Sequence, residues 1–220
     1  MTLSALLVLA DGRFPAGGHA HSGGAEAAVK AGRLKDAADL ESFCRGRLHT
    51  TGLTSAALAA GAAHGLDPYE LDAAADARTP SAALRAASRR LGRQLMRAAR
   101  AAWPSPELDV LAAAFPRGAH QPVVLGTAAR AAGLGPEEAA HCVAYETVGG
   151  PATAAVRLLS LDPYQATAVL ARLAPEMDQV AERASAAAQQ GVDALPAASA
   201  PLLDLTAEQH AAWPVRLFAS

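Results

Sequence analysis

The chain has 220 residues with 19 basic and 21 acidic side chains, a formal charge of −2, which suits one domain and lacks the basic excess that nucleic-acid binding needs. Hydrophobic residues make up 51 % and aromatics only 4 %; much of the apolar content is alanine, the best helix former, and strand-favouring runs are nearly absent. Two cysteines, Cys44 and Cys142, argue against a disulfide framework and for a reducing compartment.

From the N-terminus, the first apolar run ends at Ala10 without a positive flank. It is too short to span a bilayer and wrongly flanked for a signal peptide, so a cytoplasmic protein with no membrane contact is expected. Helices are then expected over roughly 2–10, 22–31, 36–49, 52–64, 68–77, 80–102, 106–114, 121–132, 136–148, 151–160 and 163–190. Asp67-Pro68, Thr79-Pro80, Ser105-Pro106 and Asp162-Pro163 each set a capping residue before proline. The cap's oxygen accepts an orphaned N–H, and proline at the first helical position has no N–H to lose. Gly135-Pro136 is a weaker version.

Within 80–102, Leu84, Ala87, Leu91, Leu95, Ala98 and Ala102 recur on one apolar face. Arg85, Arg89, Arg93 and Arg97 form a stripe away from it. The stripe reads either as a solvated face or as a docking surface for an acidic partner or phosphate, which a planar guanidinium suits. After residue 190 the pattern changes. The stretch carries three prolines and Leu202, Leu203, Leu205, Trp213, Leu217 and Phe218, with no long helix expected. Each large apolar side chain loses about 1.5–3 kcal/mol if it stays wet, so the segment folds back on its own body or enters another protein. The expected architecture is all-α: one compact helical domain over 1–190 and an extended C-terminal tail over 191–220.

Catalytic chemistry is hard to find. The only lysines, Lys30 and Lys35, follow no phosphate-cradling glycine loop, and there is no G-x-S-x-G or H-E-x-x-H. Glu138 and His141 have the E-x-x-H spacing of helical di-iron proteins, but the second pair such a site needs is missing. His19-Ala20-His21, beside Ser22, and the adjacent His141-Cys142 are weak metal-ligand candidates. They leave a metal-binding helical protein or oxidoreductase as the alternative function.

The stretch LLVLADGRFPAGGHAHSGGAEAAV resembles the N-terminal motif of the urease accessory protein UreF family. Pro15, Gly17, Gly18, His21, Ser22, Gly24 and Glu26 match, while His19 and Ala25 replace a phenylalanine and a leucine. Further on, DARTPSAALRAASRRLGRQL is similar to the family's middle helix pair, with Ser88, Gly92 and Arg93 in place. AAVRLLSLDPYQ is similar to a later segment in which Arg157 takes the basic position, and Ser160 and Asp162 replace a proline and a glycine. HAAWPVRLFAS resembles the C-terminus, matching at His210, Arg216, Leu217, Phe218 and Ser220, with Ala211 for a glutamate. The resemblance implies a non-enzymatic, all-helical, homodimeric scaffold. It would bind UreD (also called UreH), the GTPase UreG and the urease apoprotein, with no resident cofactor and nickel passing through the complex. It further implies that His210, Arg216, Leu217, Phe218 and Ser220 dock in UreD. Glu26 and Arg157 would gate the GTPase or line a nickel route, the ordinary alternative being a cap or ion pair.

Overall fold

Alanine-rich segments punctuated by Asp-Pro, Ser-Pro and glycine favour helices, and a computed structural model describing residues 3–219 shows them. In order the helices are α1 (Leu3–Leu9), α2 (Ala25–Lys30), α3 (Ala37–Arg47), α4 (Leu53–His64), α5 (Pro68–Ala77) and α6 (Ala82–Ala102). They continue with α7 (Pro106–Ala114), α8 (Gln121–Ala131), α9 (Pro136–Leu159), α10 (Pro163–Ala188) and α11 (Pro201–Ala211). Among the described residues there is no strand, and no helix is long and apolar enough to cross a membrane.

The core is built around α4, whose residues from Ala56 to Ala63 are all buried. A helix that is apolar all round must be wrapped on every side, and α8, α9 and α10 do this. Small residues set the approach. A Cβ on Gly126 of α8 would stand 2.0 Å from the Ala59 carbonyl oxygen of α4, and one on Gly92 of α6 would stand 2.1 Å from that of Ala119.

Most expected starts are seen with their caps. The side chains of Asp67, Ser105 and Asp162 accept from backbone N–H groups of the first turns of α5, α7 and α10, and Glu138 accepts from Gly135 N at 3.0 Å. Three boundaries differ. The α6 cap is Ser81, bonded to Leu84 N, not Thr79, because Ser81 reaches the N3 amide and Thr79 does not. The two helices expected at 36–49 and 52–64 are joined by a π-helical turn, Leu48–Gly52, into one continuous run. The helices expected to break at Pro151 are a single α9, with Pro151 inside it and buried. Packing outweighs the lost hydrogen bond there. At the end of α9, Ser160 adopts φ 52 and Asp162 caps α10, so the turn forms without the proline and glycine that the resemblance would place there.

Beyond the expected boundary at residue 190 the chain stays bonded to the helical body. Arg78 donates to the carbonyls of Val192, Leu195 and Pro196, and Thr54 Oγ1 donates to that of Ala198. Residues 201–211, for which no helix was expected, form α11. Its Asp204 and Glu208 accept from the N-terminus of α6, at Ser81 N, Ser81 Oγ and Ala83 N.

Candidate functional site at the chain ends

Glu26 lies in the first turn of α2, where the helix dipole favours a carboxylate, and its own N–H donates to Ser22 Oγ at 3.3 Å. It is 8 % exposed. Its Oε1 accepts from Leu217 N at 2.8 Å, and its Oε2 accepts from Phe218 N at 3.1 Å and faces His210 Nε2 at 2.9 Å. Ala219 N donates to the Ala20 carbonyl at 2.7 Å. The C-terminal segment is thus clasped onto the N-terminal loop by four hydrogen bonds. Burial pushes the Glu26 carboxyl up, but the Leu217 amide, His210 and the Phe218 amide together hold it below its ordinary value.

Cationic side chains cover the aromatic parts of the clasp. Lys30 Nζ stands 3.8 Å over the Trp213 ring, and Arg157 Cζ lies 5.2 Å from the Phe218 ring, both cation–π distances. Trp213 also meets the His210 ring at 4.7 Å. The fold therefore brings Glu26, Arg157, His210, Leu217 and Phe218 together, although they lie up to 192 positions apart in the sequence. Arg216 is exposed beside them, and Ser220 lies outside the described residues.

The segment has two faces. Phe218 and His210 point inward and are buried, at 5 % and 3 % exposure. Leu202, Leu205, Val215 and Leu217 point outward and are exposed. The tail expected either to fold back or to enter another protein is folded back along one face and apolar on the other.

Beneath the clasp lies a cavity of about 470 Å³ bordered by His19, His21, Arg47, Glu146, His210 and Phe218. Burial, with Arg90 and His19 nearby, pushes His21 down to about 4, so its imidazole is neutral. Burial pushes Glu146 up to about 7, opposed only by a 2.9 Å hydrogen bond from Gln121. Among the described residues, neither His19 nor His21 joins a cluster of three ligand atoms. His141 bonds the Glu137 carbonyl and Asp178 at the surface. Glu138 caps its own helix, and burial pushes the Cys142 thiol up to about 12.

One cluster went unread in the sequence. Asp72, Asp76 and His120 lie close enough to share an ion, but Arg89 fills that place. Its Nη2 sits 2.8 Å from Asp72 Oδ2 and 2.7 Å from Asp76 Oδ2. His120 Nε2 meets Asp76 at 2.8 Å, its Nδ1 meets Ser88 Oγ at 3.0 Å, and its backbone N–H donates to Asp72. The group knits α5, α6 and the start of α8. The i, i+4 acids of α5 facing an arginine of α6 were the available signal. The arginine stripe is accordingly not one surface: Arg89 is drawn into this network, and Arg85 donates to the Thr79 and Pro80 carbonyls.

The UreF family model matches residues 34–174. The chain is 45 % identical to the urease accessory protein UreF of Mycolicibacterium vanbaalenii, over 100 % of this chain and 99 % of that protein. It is 44 % identical to the UreF of a Mycobacterium species (strain JLS), with the same coverage. Against the UreF of Mycobacterium tuberculosis it is 42 % identical over 95 % of this chain and 94 % of that one.

Proposed function

The chain belongs to the UreF family of urease accessory proteins, and from that membership we propose that it is a non-catalytic scaffold of urease maturation. In this reading it works in the cytoplasm as a homodimer, binds UreD (UreH) and the GTPase UreG, and helps the assembly deliver nickel to the urease apoprotein. Nickel is cargo of the complex, not a resident cofactor of this chain.

The observation that carries the reading is the two-faced C-terminal segment. Phe218 and His210 fix it to the body, and Leu202, Leu205, Val215 and Leu217 are left exposed on the other side. Exposed apolar side chains gathered on one segment mark an interaction site. Fixing the segment beforehand lowers the ordering cost of association. Glu26 then serves docking indirectly, by holding the backbone of Leu217 and Phe218 in place, and Arg157 does so through the Phe218 ring.

Co-purification with UreD tests the proposal. The double variant Val215→Asp/Leu217→Asp changes only exposed positions, so its helical content should match the parent. Its capture of UreD should fall at least about tenfold, as for central apolar anchors in other interfaces. Undiminished capture would overturn the assignment of this face.

A further inference from the structure

Helix α6 carries six arginines and no acidic residue, and the fold sorts them into two groups. Arg85 and Arg89 face Asp76 and Asp72, and Arg100 pairs with Asp109 at 2.6 Å. Arg90, Arg93 and Arg97 have no carboxylate partner among the described residues, and Arg93 reaches only the Arg117 carbonyl. These three border a single groove of about 380 Å³ between α6, α7 and residues 115–119. Its floor is apolar, formed by Met96, Leu111, Phe115 and Val124, and no acidic side chain lines it. The acids of α7 are already engaged, Asp109 by Arg100 and Glu107 by Arg130.

Arginines at i, i+3 and i+7 stand one above another on a helix, and like charges so spaced repel. Among the described residues no carboxylate relieves that repulsion, and only the Arg117 carbonyl meets Arg93. We infer that this groove is a second docking surface, which receives an acidic amphipathic helix of a partner protein. Carboxylates of that helix would ladder with Arg90, Arg93 and Arg97, and its apolar side chains would enter the groove over Met96 and Phe115. Carboxylates spaced three and four apart match the arginine spacing turn for turn, and guanidinium forks pair with them in two-point contacts. A nucleic acid fits less well, because the floor is apolar and the chain is acidic overall. Asp204 of α11 meets α6 at Ser81, about 14 Å along the helix from Arg90 and about 24 Å from Arg97 at the usual rise per residue. The groove shares no lining residue with the clasp, so failure of either surface leaves the other standing.

The test is fluorescence anisotropy with the full-length protein and a labelled peptide bearing leucines on one helical face and glutamates flanking them. A scrambled peptide of identical composition is the control. The patterned peptide should bind at low salt, weaken steeply as salt rises, and exceed the scrambled one at least tenfold. The exposed-site variant Arg90→Glu/Arg97→Glu should lose at least tenfold in affinity, and so should Met96→Asp, with circular dichroism unchanged in the arginine pair. Equal binding of the scrambled peptide would overturn the inference, since it would show charge attraction alone. So would indifference to the arginine pair, tighter binding of a single-stranded oligonucleotide, or loss of self-association in the arginine variant without any peptide binding.

Discussion

At the start of α2 a carboxylate almost wholly shielded from water accepts two backbone N–H groups and meets a histidine, all from the other end of the chain. Hydrogen bonds to a charged group contribute about 1.5–3 kcal/mol, so Glu26→Gln should lower stability by roughly that amount at neutral pH. The sign with pH follows from linkage. Glu26 is held below its ordinary value in the fold, so the unfolded chain takes up its proton first. The stabilisation is complete above the usual carboxylate range and is lost as pH falls through the lower folded value. Urea unfolding of parent and Glu26→Gln should therefore differ at pH 7 and converge in acid; a gap independent of pH would remove the charge from the account. Glu146 behaves oppositely. Its raised value means the folded state favours the protonated form, so ionisation costs stability as pH rises toward about 7. Glu146→Gln should stabilise at pH 8 relative to pH 5, by at most about 3 kcal/mol. Neither environment was legible in the sequence: Glu26 stood out only through its motif and its place in a helix's first turn, and Glu146 not at all.

Elements were far more legible than their joints. Capping residues and proline placed α5, α7 and α10 because those signals act within one turn. The joints at Gly52 and Pro151 were misread because tertiary packing decides them. A Cβ on Gly52 would come within 2.8 Å of Thr147 on α9, and Pro151 is enclosed in the core. α11 was missed for a related reason. Its three bounding prolines look like breaks, yet its acids are fixed by the N–H groups at the start of α6, a contact that sequence spacing cannot express. The closest element packing yields a direct prediction. Gly126→Ala must push α8 away from the Ala59 carbonyl, costing about 1–3 kcal/mol or more by overpacking. Thermal denaturation should show a clear drop, whereas Gly150→Ala, with open space around its Cα, should change little.

Across the whole molecule, three of the four stretches that resembled the family meet at one place: the N-terminal loop, Arg157 and the C-terminus. Convergence of this kind was invisible to linear reading, which treated Glu26 and the tail as separate features. It also changes what truncation means. Removing residues 210–220 deletes a buried aromatic and both histidine and amide partners of Glu26, so it destabilises the body as well as removing a docking face. Phe218→Ala alone should cost about 3 kcal/mol and make the Pro214–Arg216 stretch a preferred site of limited proteolysis; full resistance there would contradict the clasp.

Amide hydrogen exchange of the intact chain, alone and with purified UreD, reaches the central claim most directly. A clasped segment whose outer face docks should show slowed exchange across residues 202–217 when UreD is added, with Glu26-bonded amides already protected beforehand. A stable complex in which those residues exchange as fast as in the free chain would contradict it.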